Sequence, residues 1–238
     1  MKSVSQRTSV LGSPSITSSP RPVERGISAL ATQISDLHPH VLGLQIRPST
    51  VASLIASAAK LLLPAFAQSW VHNTFREWFL PDQVVLKMQK SGKEDVVEEL
   101  FDIELKAYDR LQPPQGVTIP RFYGTLRYNG TRGMLLERLG GISMSSLDGA
   151  TLRLEELSAL LQPCYQAIHA FGGAVDDTNL SNFQLVDGRI MMMDLESAVF
   201  CYTADQRDRY LASNIGHLAD MYRGMQAYYR FDGFLEAA

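Results

Sequence analysis

The pattern of apolar and polar residues divides the second half of the chain into short strands and amphipathic helices. Two apolar runs, Phe183–Val186 and Arg189–Met193, are separated only by Asp187-Gly188. This pair is a strong signal for a two-residue type I′ turn, because that turn needs positive φ at both central positions. We therefore predict a β-hairpin in which the residues on either side of the turn face one another.

The register of this hairpin brings three polar side chains together. If the strands pair outward from the turn, Asn182 lies opposite Met193, and Asn182 and Asp194 then leave the hairpin side by side. Asp177 lies one short loop earlier in the chain. Strict alternation would send Asn182 and Asp194 to opposite faces. We therefore expect the ladder of paired residues to end before both of them.

Oxygen-bearing side chains of this kind suit a hard divalent cation. Magnesium prefers oxygen ligands, keeps several waters and is usually completed by the phosphates of a substrate. Asp177 would then be available to orient an attacking hydroxyl group. The alternative for residues 176–182 is a polar surface loop, since Asp, Asn, Ser and Thr favour loops for purely local reasons.

The rest of the chain is predicted to contain further strands and helices. The predicted strands cover residues 84–88, 119–126 and 133–137, and the predicted helices cover residues 50–63, 94–112, 154–171 and 205–230. Pro163 is expected to kink or split the third of these helices. The apolar stripe of the helix at 94–112 is predicted to consist of Val96, Leu100, Ile103, Ala107 and Leu111. Glu104 is placed on the flank of that stripe.

The first residues have a different composition from the rest. Residues 1–26 are rich in serine and proline and contain one acid, Glu24. Such a segment buries too little apolar area to order itself, so we predict a disordered, low-complexity tail over residues 1–49. Mitochondrial transit peptides share this acid-poor composition, which leaves targeting as an alternative.

Composition and charge limit the classes of partner. A hydrophobic content of 45% with 20% charged residues is typical of a globular protein. The net charge of −3 gives no reason to expect nucleic acid or an anionic membrane as a partner. Lys60 and Pro64 interrupt the apolar run at 51–70, which favours a packed helix over a membrane span. Two cysteines cannot form a disulfide framework, so we expect a reducing, cytoplasmic setting.

The order of the polar residues around the hairpin resembles the catalytic and metal-binding loops of protein-kinase-like proteins. Asp177 is followed five residues later by Asn182, then by the hairpin and by Asp194-Leu195-Glu196. The Asp-Leu-Glu form is similar to the aminoglycoside and choline phosphotransferase branch. The chain most resembles fungal kinase-like proteins that carry a histidine shortly before the loop aspartate. The resemblance covers roughly residues 77–199. It implies an α+β, two-lobed fold with a small β-containing N-lobe at 50–138 and a reduced, mostly helical C-lobe at 139–238.

The resemblance also implies roles for residues in the first lobe and at the hinge between the lobes. Lys87 would contact the phosphates of ATP, and Glu104 would pair with Lys87 and fix it there. Main-chain groups of Glu137 and Leu139 would bind the adenine.

In the second lobe, the resemblance implies that Asp177 is the catalytic base and that Asn182 and Asp194 hold Mg²⁺. The implied function is an ATP- and magnesium-dependent phosphotransferase whose acceptor is an unidentified small-molecule or protein hydroxyl group. Two departures from the family keep a second interpretation open, a catalytically impaired pseudokinase that acts as a binding or scaffold protein. Val175 stands where the family has histidine, and no glycine occurs between residues 50 and 87. A third interpretation is that the chain before Glu77 is incomplete or misassembled, because the resemblance begins abruptly there.

Overall fold

The computed structural model describes residues 5–10, 25–36, 38–47, 79–90 and 94–235. The chain divides into two units. The first comprises Met1–Ser91 and Phe122–Arg138, and the second comprises Gly92–Arg121 and Leu139–Ala238. The helix predicted at 50–63 lies outside the described residues. Strands and helices occur together, which confirms the general α+β class.

The first unit is built on an antiparallel sheet of six described strands. They are β1 (Ser5–Val10), β2 (Arg25–Gln33), β3 (Val41–Ile46), β4 (Gln83–Met88), β5 (Phe122–Tyr128) and β6 (Thr131–Glu137). Their spatial order is β1-β2-β3-β4-β6-β5, and the sheet closes because β1 also pairs with β5. The inward-facing residues form the core of this unit, which includes Ile27, Leu44, Ile46, Val84, Leu86, Leu126 and Leu135.

Strands β1 to β3 correct the prediction of a disordered tail over residues 1–49. The physical reason lies in β2 and β3, which alternate as half-buried strands do. Leu44 and Ile46 are buried while Gln45 between them is exposed. Ile27 on β2 joins the same core. A few apolar residues at period two are therefore enough to pair β2 with β3 and β3 with β4.

The second unit contains three described α-helices and two small sheets. The helices are α1 (Glu94–Arg110), α2 (Leu154–His169) and α3 (Ala204–Phe231). One sheet has the order β10-β9-β7 and consists of β7 (Ile142–Ser143), β9 (Phe183–Val186) and β10 (Arg189–Met192). The other pairs β8 (Ala174–Val175) with β11 (Ala198–Val199). None of the described helices is long and apolar enough to cross a membrane.

Helices α1 and α2 occur where they were predicted, with three differences. On α1 the buried face is rotated from the predicted stripe, since Val96 is 55% exposed whereas Glu104 is 0% exposed. This helix also belongs to the second unit rather than to the region 50–138. Helix α2 continues through Pro163 without being split. Pro163 lies on the exposed side of α2, where water can satisfy the carbonyl group that the missing N–H leaves free.

The two cysteines of the chain differ in environment, which gives a first test of the fold. Cys164 on α2 is 1% exposed, and burial raises the pKa of its thiol to about 12, whereas Cys201 is exposed. We expect one thiol per chain to react with a thiol reagent at pH 8 in the native protein, and two after denaturation, because the thiolate is the reactive form. A Cys201→Ser variant should show no fast native reaction. Rapid modification of Cys164 in that variant would contradict the packing of α2.

Candidate metal centre and catalytic-type loop

The hairpin at the centre of the candidate site has the predicted turn and register. Asp187 and Gly188 have φ values of +48° and +74°, as a type I′ turn requires. Strands β9 and β10 pair from Val186↔Arg189 to Phe183↔Met192, and the ladder ends there. Asn182 and Asp194 therefore lie outside the ladder, as predicted, so alternation along the strands does not force them apart.

Two hydrogen bonds hold the loop before the hairpin against the segment after it. The Met193 N–H donates to the carbonyl oxygen of Asn182 at 2.8 Å. The Asp177 N–H donates to the Oγ of Ser197 at 3.0 Å. On the N-terminal side of Asp177, β8 pairs with β11, and this pairing continues the contact between the two segments. The segment 177–182, which carries the predicted base, thus runs beside the segment 193–197, which carries Asp194.

Three carboxylate groups converge at the end of this arrangement. Glu104, Asp194 and Glu196 each place a carboxylate oxygen so that all three atoms lie within 4.8 Å of one another. Glu104 on α1 is fully buried, and the other two side chains are partly buried. We call Glu104, Asp194 and Glu196 the acidic cluster. Like charges this close repel one another, so a bound cation or a proton among them would stabilise the fold.

Main-chain hydrogen bonds fix the geometry of the acidic cluster. The Leu195 N–H donates to Oε1 of Glu104 at 3.4 Å, which ties α1 to the segment after the hairpin. The Glu196 N–H donates to Oδ1 of Asp194 at 3.0 Å, which is the pattern of a local Asx turn. Asp194 is therefore oriented by its own backbone two residues further on, and Glu104 approaches it from a different element.

Tyr108 lies one helical turn after Glu104 and reports the charge of the cluster. Its side chain is fully buried, and burial is the main cause that raises its pKa well above the ordinary value. The negative charges of Glu104 and Asp194 raise the pKa further. The phenol therefore stays protonated.

Arg110 fixes the C-terminal end of α1. Its Nε donates to the carbonyl oxygen of Phe171 at 3.2 Å, and its guanidinium carbon lies 4.6 Å from the ring centroid of Phe200. Phe171 precedes β8 and Phe200 follows β11 in the chain. The helix that carries Glu104 is therefore attached to the small sheet at the end where β8 begins and β11 ends.

The chemistry of the cluster fits a hard cation such as Mg²⁺, for which carboxylate oxygens are the preferred protein ligands. Asp194 was predicted as a metal ligand and belongs to the cluster. Glu104 was predicted as the partner of Lys87, and the structure places its carboxylate beside Asp194. For Asn182 the structure gives the main-chain contact to Met193, and metal ligation by its side chain stays a prediction.

The remaining predicted residues lie as follows. Asp177 is exposed to solvent on its loop. Lys87 lies on β4 in the first unit and is 7% exposed. Glu137 ends β6, also in the first unit, and Leu139 begins the segment of the second unit that leads to β7. The contacts predicted for Lys87, Glu137 and Leu139 with ATP stay predictions.

Sequence reasoning missed Glu196 as a member of the acidic cluster. A signal for it was present, because Glu196 is two residues from Asp194 and residues at that spacing in extended chain face the same way. The spacing was overlooked because the Asp-Leu-Glu sequence was interpreted only as a resemblance.

Comparison of the sequence with models of known protein families gives no match, and none of the curated proteins matches it either. The fold and the site by themselves define an α+β protein with an acidic cluster beside a β-hairpin.

The hairpin turn can be tested by a matched pair of glycine substitutions. Both Gly188 and Gly224 have open space where a Cβ would be added, but only Gly188 has a positive φ, +74°. Gly188→Ala should lower the free energy of unfolding by about 1 kcal/mol, because a left-handed backbone is strained for alanine. Gly224→Ala, inside α3, should raise it by roughly 0.5–1 kcal/mol. Urea denaturation measures both, and equal effects of the two substitutions would contradict the turn.

Proposed function

We propose that this protein is an ATP- and Mg²⁺-dependent phosphotransferase with a protein-kinase-like fold. The observation that supports this most is the convergence of Glu104, Asp194 and Glu196 beside the loop that carries Asp177. Glu104 comes from a helix, and Asp194 and Glu196 come from the segment that follows the hairpin. Glu104, Asp177 and Asp194 follow one another along the chain in the order that the resemblance implies.

The charge of the phosphates is what a phosphotransferase has to overcome. Phosphoryl transfer depends mostly on positioning and on neutralising the charge of the phosphates. Mg²⁺, when bound, would supply that neutralisation. Asp194 and Glu196 would hold the ion, and Glu104 would support them from α1. Asp177 is exposed, so an acceptor hydroxyl can reach its carboxylate and be oriented by it.

The part of the proposal that concerns the nucleotide rests on the resemblance. It assigns the phosphates to Lys87, and the adenine to main-chain groups of Glu137 and Leu139. The acceptor is a small-molecule or protein hydroxyl group.

A second candidate function is a pseudokinase that binds nucleotide or a partner without turnover. Two features of the sequence favour it: Val175 replaces the histidine of the family, and no glycine lies between residues 50 and 87. Both candidates use the acidic cluster to bind an ion, and they differ only in the chemistry of Asp177.

Ion-dependent nucleotide binding can be measured by denaturation with Mg²⁺ alone, ATP alone and both together. With both ligands at about 100 times the dissociation constant of the complex, we expect the wild-type protein to gain roughly 2.7 kcal/mol of stability. Asp194→Asn should abolish this gain, because it removes a charged ligand with little change in shape. The matched control is Asp220→Asn, which removes an exposed acid paired with Arg223 on α3 and should keep the gain. An equal gain in the Asp194→Asn protein would contradict the site.

Turnover separates the two candidate functions. Asp177→Asn should lower the rate of ATP hydrolysis or phosphoryl transfer by about 10²-fold or more, since general-base catalysis contributes on that scale. The stability gain with Mg²⁺ and ATP should stay the same, because Asp177 is not part of the acidic cluster. Equal background rates in the wild-type and Asp177→Asn proteins, with nucleotide binding intact, would identify the pseudokinase.

A further inference from the structure

The loop that carries Asp177 begins at a residue whose side chain cannot hydrogen bond. Val175 is 1% exposed and ends β8, which pairs with β11 through Val175↔Ala198. Asp176 and Asp177, the next two residues, are exposed. Two side chains from other segments form hydrogen bonds with main-chain groups at the start of this loop.

The first contact comes from α3. Asn214 is 5% exposed, and its Nδ2 donates to the carbonyl oxygen of Val175 at 2.8 Å. It begins a buried column at helical spacing that continues with Leu218, Tyr222 and Gln226. A buried amide costs stability unless it forms hydrogen bonds. If this position on α3 served packing alone, an apolar residue would fill it. The amide of Asn214 adds a hydrogen bond to the main chain of the loop.

The second contact comes from the segment after the hairpin. The Oγ of Ser197 accepts a hydrogen bond from the Asp177 N–H at 3.0 Å. Ser197 follows Asp194 by three residues, so this bond couples the loop to the segment that carries the acidic cluster. The main chain is thus held on both sides of Asp176, by Asn214 before it and by Ser197 after it.

Two buried aromatic residues, Tyr165 and Phe183, pack against each other near the loop. Tyr165 on α2 is fully buried, and its ring centroid lies 6.0 Å from that of Phe183, the residue after Asn182. Burial is the main cause that raises the pKa of Tyr165, and the negative charges of Asp177 and Asp176 add to it. Both acids therefore lie close enough to this buried phenol to affect it, which agrees with a loop held down on the core.

We propose that Asn214 and Ser197 are positioning residues that hold the Asp177 loop in place, through the carbonyl of Val175 and the N–H of Asp177. Their catalytic consequence rests on the proposed function, whereas the holding of the loop does not. Neither residue touches the reacting atoms. Each acts through the main chain that sets where the Asp177 carboxylate lies.

Hydrogen–deuterium exchange tests the holding of the loop in the full chain without any ligand. In Asn214→Leu, which keeps the size of the side chain, we expect amides of residues 174–179 to exchange about tenfold faster than in the wild-type protein. The matched control is Gln226→Leu. Gln226 is also buried on α3, and its Nε2 donates at 2.8 Å to the carbonyls of Ala150 and Leu152, away from the loop. Unchanged exchange at 174–179 in Asn214→Leu, or the same increase there in Gln226→Leu, would overturn the proposal.

Kinetics test the consequence for catalysis. Asn214→Leu and Ser197→Ala should each lower kcat by about 10- to 100-fold, because a small misplacement of a catalytic group costs that much. The KM for ATP should change by less than about twofold, since the acidic cluster is not contacted by Asn214. A variant that is only destabilised would instead contain a smaller fraction of folded, active protein. The Gln226→Leu variant measures how large that loss is. An unchanged kcat in both variants would overturn the positioning role. If the wild-type protein has no turnover, the proposed function fails, and the exchange experiment alone decides whether the loop is held as stated.

Discussion

The two-residue turn at Asp187-Gly188 is the constraint on which the site depends. Its positive φ values allow only one close pairing of β9 with β10. A slip by one residue would turn every side chain of a strand to the opposite face, and Phe183 and Met192, both fully buried, would leave the core. The packing of the core and the turn therefore specify the same register. That register is what brings the chain out of β10 with Asp194 next to the end of the Asp177 loop.

The acidic cluster is electrostatically unusual because one of its three carboxylates is fully buried. Carboxylates are rarely buried, because removing a charge from water is costly unless an opposite charge or hydrogen bonds compensate for it. The structure places Glu104 in the interior on α1 and brings Asp194 and Glu196 to it. Arg110 at the end of the same helix is attached to the small sheet, so α1 cannot easily turn Glu104 away. The cluster is held together by the fold rather than relaxed into solvent, which is the condition for binding a compact divalent ion tightly.

Local patterns in the sequence were sufficient for the hairpin, its register and the second-unit helices, because turn chemistry and periodicity act over a few residues. They were insufficient where burial is decided by distant parts of the chain. Val96 looked like a core residue and is exposed, whereas Glu104 looked like a flanking charge and is buried. The strands containing Ile27 and Leu44 were missed because each has only a few apolar positions, whose burial depends on pairing with the other strands of the sheet. Glu196 was missed although it stands two residues from Asp194, because the third acid of the cluster, Glu104, lies on a helix far away in the sequence.

The exposure of the acids bears on the choice between an enzyme and a binding protein. Asp177 is exposed and Glu104 is buried, although both belong to the same unit. A group that orients an acceptor hydroxyl must be reached by that acceptor. A group that supports an ion works better where water is excluded, because its attraction is then less screened. The buried Glu104 would help a protein that only binds nucleotide to hold an ion. The hydrogen bond from the Asp177 N–H to Ser197, which fixes the exposed Asp177, would not help such a protein. That Asp177 is so fixed is the physical reason to prefer the phosphotransferase to the pseudokinase.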